Sequence, residues 1–346
     1  MTALFEVFDA LRERLAWASL AELPTAVEPA PTVLAAAGAT GELWLKRDDQ
    51  TSAIYGGNKL RLLEPVLGEA RAQGCTHVYA SGARGSNFAV ATALHAPRVG
   101  LAPGVICFPQ PMTPEADESQ RVVELSAEVI DIAHWSLLPL AAERLKQSAE
   151  RDGKRALVMS QVALGEHALL GYLSAGLELA KQVQAHACPA PTRVVLPIGS
   201  AATAAGVLAG LGLAKRLGIW SGALPTVAAV RIAPWPLSRR GRVLGLAERA
   251  LAYLASARGG LGPALSRRDL PELLLVTDQL GSGYPHPTPA ALRAQRAFAE
   301  AGYPILDGTY AGKAAAHLFA PGTLARGPVL FWATKSSAPL PRPTRP

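Results

Sequence analysis

The residues of this chain best suited to chemistry sit on short turns rich in glycine, serine or threonine. The first turn is Gly56-Gly57-Asn58-Lys59, just ahead of an amphipathic run. Two glycines permit close backbone approach to a ligand. An amine at a helix entrance lies at the positive end of the helix dipole, which disfavours its protonation. A neutral lysine can form a Schiff base with a carbonyl. Spacing alone also describes, and more commonly, a glycine-rich turn with a surface lysine. The second turn, Ser81-Gly82-Ala83-Arg84-Gly85-Ser86-Asn87, would place a hydroxyl and an amide at a strand end, or would simply cap a helix.

The third segment runs from Pro197 through Gly199-Ser200-Ala201-Ala202-Thr203 to Gly206. Small residues at a helix start let backbone amides and hydroxyls surround an anion such as a cofactor phosphate. The segment lacks the GK[ST] of a Walker loop and is not GxGxxG. Close packing of a helix on a sheet through small residues is the competing reading. The fourth group holds Gly283-Tyr284, Pro287-Thr288 and Leu306-Asp307-Gly308-Thr309-Tyr310-Ala311-Gly312-Lys313. Tyrosines there can serve as acid/base groups or anchor loops. Finally, Ala333-Thr334-Lys335-Ser336 follows the last apolar strand.

These turns need rigid elements to hold them. Short β-branched runs alternate with Ala/Leu-rich amphipathic stretches. Strands are expected at 43–47, 77–81, 104–108, 128–132, 193–198, 226–232 and 329–333. Helices are expected at 60–73, 86–95, 114–126, 138–151, 168–183, 201–217, 290–300 and 312–319. That alternation predicts an α/β architecture of open, twisted parallel sheets, with ligands at the C-terminal strand ends. The region 234–268 carries the weakest pattern, and the Pro/Arg-rich end at 339–346 reads as a frayed tail.

Composition narrows the function classes. The chain has 346 residues, 49% apolar and 18% charged, enough for a sizeable core and too long for one lobe. The net charge is +7, with 26 arginines and only 8 lysines. The arginines are dispersed, the nearest groups being Arg239-Arg240-Arg242 and Arg267-Arg268. They read as solvated surface, and nucleic-acid binding is not expected. Three scattered cysteines without a CxxC pair fit a reducing compartment and argue against a disulfide framework or a zinc site, so a cytoplasmic location and no metal are expected. No signal peptide is expected from the N-terminal run. The uncharged run 194–214 reads as strand, turn and helix because of Pro197, Gly199 and Ser200, so no membrane span is expected.

Together the segments resemble one family. LPTAVEPAP, LWLKRDDQTSAIYGGNKLRLLE, the Ser86-Asn87 loop, LGYLSAGLELA, the Gly199–Gly206 loop, Gly283-Tyr284, LDGTYAGKA and VLFWAT occur in the order found in the pyridoxal-phosphate (PLP) enzymes similar to D-cysteine desulfhydrase and 1-aminocyclopropane-1-carboxylate deaminase. The resemblance covers about residues 19–337 and is most specific at RDD…GGNK. It implies the fold type II architecture of the tryptophan synthase β-subunit, with PLP in a cleft between two domains. The expected large domain is 1–60 with 165–346, and the small domain is 61–164. The resemblance implies Lys59 as the Schiff-base lysine, with Asn58 and Asn87 at the cofactor and Ser86 near the substrate. Gly199, Ser200, Ala201, Ala202 and Thr203 would cradle the phosphate, and Thr334 would meet the pyridine nitrogen. Tyr284 and Tyr310 fall at active-site tyrosines. A homodimer is also implied.

Several positions depart from the family pattern. Gly85 and Phe88 replace Gln and His, Ala201 and Ala202 replace two glycines, Ala311 replaces Thr or Glu, and Lys335 brings a cation near the cofactor. The first two changes would thin the polar shell on the substrate side. The expected function is a PLP-dependent lyase or deaminase acting on a small amino acid. The alternatives are a β- or γ-replacement synthase or a racemase, and a non-catalytic PLP-binding homologue. Of the eight lysines, only Lys59 combines the glycine turn, the following helix and the family match.

Overall fold

The computed structural model describes residues 2–233, 235–259, 265–283, 286–303, 306–308 and 310–341. Ten strands form two sheets. In chain order they are Val27–Pro29 (β1), Leu43–Lys46 (β2), His77–Ala83 (β3), Ala102–Phe108 (β4), Glu128–Asp131 (β5), Ala156–Ser160 (β6), Arg193–Ile198 (β7), Thr226–Arg231 (β8), Leu273–Val276 (β9) and Val329–Trp332 (β10). The larger sheet runs β1-β2-β10-β7-β8-β9, and the smaller runs β5-β4-β3-β6. All pairings are parallel except β1 with β2, where Glu28 faces Leu45. The expectation of an α/β fold with parallel sheets is met.

The period of two along a strand sends successive side chains to opposite faces. Val194, Leu196 and Ile198 enter one core cluster with the helices Glu166–Gln184, Ala202–Arg216 and Arg240–Ala257. Val195 enters the opposite cluster with the helices Pro289–Glu300 and Ala311–Leu318. Helices therefore cover both faces, which is why these strands read as continuous apolar runs. A third cluster surrounds the smaller sheet. All four strands of that sheet fall between residues 77 and 160, and every strand of the larger sheet lies outside that span. The helix Asn58–Ala72 serves both cores: Leu62 packs in the first cluster, and Leu60, Leu63, Val66 and Leu67 pack in the third. Residue 60 thus lies inside a continuous helix.

Strands and helices expected from the pattern recur with ends shifted by a few residues at most. Three short elements near the N-terminus, Ala3–Val7, β1 and Pro31–Ala36, were not legible, nor were β6, Arg240–Ala257 and β9. Among the described residues, no helix is long and apolar enough to cross a membrane, and 194–214 is β7, a turn and a helix. Of the Pro/Arg-rich end, residues 342–346 lie outside the described residues.

Candidate active site

The C-terminal ends of β7 and β10, the Gly56-Gly57 turn and the loops after β3 and β6 converge on one cleft. It is lined by Asn58, Lys59, Ser86, Asn87, Gln161, Gly199, Ser200, Ala201, Thr203, Asp307, Tyr310, Thr334 and Lys335, among others. Ten of the twelve expected site residues thus meet in one place. Ala202 is buried behind the cleft rather than lining it. Its side chain can only pack, although its backbone opens the helix Ala202–Arg216. Tyr284 lies outside the described residues.

The amine of Lys59 is held by its local backbone. Gly57 has φ +94°, and a Cβ there would fall 2.7 Å from the Thr334 carbonyl oxygen. Only glycine lets the chain pass this close to the end of β10. Across the contact, the Asn58 N–H donates to the Thr334 carbonyl at 2.9 Å, and Gly57 forms an isolated bridge with Lys335. The turn and the end of β10 are thereby one unit, which fixes Lys59 and Thr334 in a common frame. Lys59 is the second residue of the helix Asn58–Ala72 and makes no hydrogen bond among the described residues. Burial lowers its pKa to about 8, with Lys335 adding to the shift and Asp307 opposing it. A substantial neutral fraction at physiological pH makes this amine a nucleophile.

The opposite wall is formed by the N-terminus of a helix. Ala201 adopts the left-handed conformation, φ +75°, immediately before the 15-residue helix Ala202–Arg216. This turn leaves the first helical N–H groups without intrahelical acceptors, at the positive end of the dipole. The Ser200 and Thr203 hydroxyls lie beside them in the cleft, and the Asn58 amide donates to Thr203 Oγ1 at 3.0 Å. The turn that glycine usually makes is retained with alanine, at about 1–2 kcal/mol of backbone strain. The loss of the two family glycines therefore leaves the turn geometry in place.

Ser86 does two things at once. Its Oγ accepts from the Phe88 N–H at 3.2 Å and caps the helix Asn87–His95, and it also lines the cleft. The capping and site readings are compatible. Gly85 sits at φ +75° with Ala116 backbone 2.5 Å from where a Cβ would be, so glutamine does not fit there in this backbone. The expectation that Phe88 thins the polar shell on the substrate side needs correction. Phe88 is fully buried in the core of the smaller sheet and Ala311 in a core of the larger one. Neither lines the cleft, so these substitutions are matters of packing rather than lost polar contacts. The solvated reading of the arginine cluster also fails at Arg242. Its Nε donates to the Ser200 carbonyl at 3.4 Å, and its terminal nitrogen bonds the Val162 carbonyl. It thus ties the loop after β7 to the loop after β6.

Some residues of the site were not singled out by pattern. Gln161 follows β6, and its amide reaches Ser200 Oγ at 3.4 Å. The apolar run 156–160 between Gly153 and Gly165 is the signal that could have revealed that strand and its loop. Asp307, in the LDGTY segment, lines the cleft and its carboxylate accepts from the Tyr310 N–H. Tyr55, directly before the glycine pair, donates to Asn87 Oδ1 at 2.8 Å. Burial pushes the phenols of Tyr55 and Tyr310 upward, so both are kept protonated.

An amine with a depressed pKa sharing one cleft with a helix N-terminus and the Ser200 and Thr203 hydroxyls is a donor set that suits a phosphorylated aldehyde cofactor. The chain matches the pyridoxal-phosphate dependent enzymes over residues 18–335. It belongs to that family. This PLP-dependent enzyme is 35% identical over 305 residues to nocardicin C-9' epimerase of Nocardia uniformis subsp. tsuyamanensis, covering 85% of this chain and 86% of the relative. It is 27% identical over 300 residues to D-cysteine desulfhydrase of Klebsiella pneumoniae, covering 84% and 85%. Among solved structures it is similar to an ACC deaminase homologue, with a TM-score of 0.76 at 24% identity over 96% of this chain and 94% of that one. These matches bear out the family resemblance and the fold. For the PLP-dependent enzyme the residues fit the group: Lys59 would hold its aldehyde carbon. Ser200, Thr203 and the helix N-terminus would hold its phosphate. Asn87 and Thr334 supply polar contacts in the same cleft.

Proposed function

We propose that this PLP-dependent enzyme acts at the α-carbon of an amino acid as a lyase or deaminase, with Lys59 as the catalytic base. The observation that carries the reading is the Lys59 amine, fixed at the cleft, without a hydrogen bond among the described residues and lowered to about pH 8 by burial. A base poised near working pH transfers protons in both directions. The cofactor supplies an electron sink for the α-carbon. Ser86, Tyr310 and Tyr284 are the groups proposed to assist with a second proton or to hold the substrate carboxylate. Ser86 and Tyr310 carry protons at cleft-lining positions.

A second reading is epimerisation, in which the α-proton is returned to the other face. The similarity to an epimerase across most of both chains favours it. One experiment separates the two. The purified enzyme is incubated in D2O with small amino acids of both configurations, including D-cysteine. Release of ammonia and a keto acid supports the lyase. Deuterium at the α-carbon with loss of optical purity, and no ammonia, supports the epimerase. Neither exchange nor release with any amino acid contradicts both.

The proposal includes a division into a large domain (1–60 with 165–346) and a small domain (61–164) with the cofactor between them, and the separation of the two sheets supports it. A cytoplasmic homodimer is part of the same proposal. Three free cysteines suit a reducing compartment, and light scattering of the purified chain tests the dimer.

A further inference from the structure

Lys335 follows Thr334 at the end of β10, and its side chain lines the cleft that holds Lys59. Its Nζ donates to Asn87 Oδ1 at 2.9 Å and to the Tyr55 hydroxyl at 3.2 Å. The Tyr55 hydroxyl donates to the same Asn87 oxygen at 2.8 Å. An ammonium group has three donors and no acceptor, so only the oxygen of an amide can face it. Both bonds to Asn87 therefore reach its oxygen, and its NH2 is left for the cleft. The Lys335 ammonium also stands 5.4 Å from the centre of the Tyr55 ring, within cation–π range. These contacts join three separate chain segments.

We propose that Lys335 is a positioning residue of the active site: with Tyr55 it fixes Asn87 with its NH2 turned into the cleft, and it sets a permanent positive charge beside the Lys59 amine. The charge is secure. Burial works against it, but the hydrogen-bonded Tyr55 hydroxyl together with Asp307 and Glu115 outweighs burial and raises the Lys335 pKa. The charged and titratable groups facing Lys59 are then Asp307, which favours its protonation, and Lys335, which opposes it. The phenols of Tyr55 and Tyr310 stay neutral. Two ammonium groups in one cleft repel, so Lys335 adds to burial in raising the neutral, reactive fraction of Lys59. The amide NH2 of Asn87, locked by Lys335, offers a fixed donor to an oxygen of the cofactor or substrate.

The inference rests on Lys59 being the reactive amine, and its test reads that amine without turnover. The cofactor-free protein is acylated at a series of pH values, and modification of residue 59 is followed by peptide mass spectrometry. Wild type is expected to reach its half-maximal rate near pH 8. Lys335→Met is expected to shift that midpoint upward and to slow labelling at pH 7.5 on the order of threefold, the effect of half a pKa unit. Lys335→Arg retains the charge and is expected to keep the midpoint. Near-ultraviolet circular dichroism confirms that each variant is folded. PLP titration, followed by visible absorbance, reads the second half of the proposal. Lys335→Met and Tyr55→Phe are each expected to weaken PLP binding and alter the pH dependence of the band. An unchanged midpoint in folded Lys335→Met overturns the electrostatic role. Wild-type PLP binding and spectrum in both variants overturns the positioning role. If residue 59 resists acylation in wild type as other lysines do, the failure lies with Lys59 itself.

Discussion

Lys46 and Lys59 are thirteen positions apart and both enter the protein interior, but their surroundings are opposite in design. Lys46 is completely buried and donates to Glu178, to the Gln182 amide oxygen at 2.9 Å and to the Thr25 carbonyl at 2.7 Å. Next to it Arg61 bonds Asp48 through Nε and a terminal nitrogen at 2.9 and 2.7 Å, and bonds Glu178 at 2.9 and 3.1 Å. Tyr172 and the Trp332 indole complete the Asp48 shell at 2.9 and 2.7 Å. Two cations face two carboxylates, and the cluster is closed. Lys59, two residues before Arg61, has no hydrogen bond among the described residues and feels Asp307 and Lys335 with opposite signs. The first region spends its polarity on locking elements together; the second leaves polar groups aimed at a ligand. A buried lysine is therefore a site candidate only where its charge is left uncompensated.

Removing either lysine's key interaction tests that contrast. Lys59→Ala is expected to lower activity on the order of 10³- to 10⁴-fold, as for loss of a general base, while the melting temperature stays near that of wild type. Calorimetry and kinetics on one preparation check both. Glu178→Ala should do the reverse. It strands Lys46 and Arg61 in the core and is expected to cost about 3–5 kcal/mol in chemical denaturation, with cofactor binding retained by the folded fraction.

The two regions should also differ in pH dependence. Arg61 and Lys46 outweigh burial and hold the Glu178 carboxyl down to about 2, against an ordinary value of 4.5. Its stabilisation is fully present above pH 4.5 and is lost as pH falls towards 2. Urea midpoints across that window are expected to fall more steeply for wild type than for Glu178→Gln. Lys59 gives a slope of the same sign in a higher window, as relief of a penalty rather than loss of a stabilisation. Its amine holds a proton to about pH 8 when folded and to 10.5 when unfolded. In the cofactor-free protein the unfolded state binds more protons in that window, so stability gains a contribution as pH rises from 8 to 10.5. The advantage of Lys59→Met over wild type is expected to shrink across the same interval.

The smallest effect lies at the Ala201 turn. Ala201→Gly relieves the left-handed alanine and is expected to stabilise the fold by about 1 kcal/mol, with PLP affinity preserved. A loss of stability would show that the methyl group packs better than its backbone is strained.

Much of this contrast was legible in the sequence. Long periodic helices and β-branched strands announced the alternating fold, and RDD…GGNK marked Lys59. The short elements Ala3–Val7 and β1 escaped because a few residues carry no period. Arg240–Ala257 escaped because Gly241 and Gly245, poor helix formers, stand among arginines at its start, although Val243, Ala247, Ala250 and Leu254 keep a regular buried face. In the site, Thr203 and Ser200 could be read from a strand–turn–helix pattern. Gln161, Arg242 and Tyr55 could not, because each is joined to the site only by contacts to residues distant in sequence, Ser200 for the first two and Asn87 and Lys335 for Tyr55. Phe88 misled for a related reason: adjacency in sequence to Asn87 does not turn a side chain towards the cleft. On helices, neighbouring residues diverge by about 100°, the angle of the 3.6-residue turn.

The central claim is that Lys59, and not its charged neighbour Lys335, carries the cofactor. Reduction of the PLP-loaded protein with borohydride, followed by peptide mass mapping, tests it most directly. A phosphopyridoxyl group on Lys59 that is absent from Lys59→Ala is the expected result. The same group on Lys335, or on no lysine, would contradict the account.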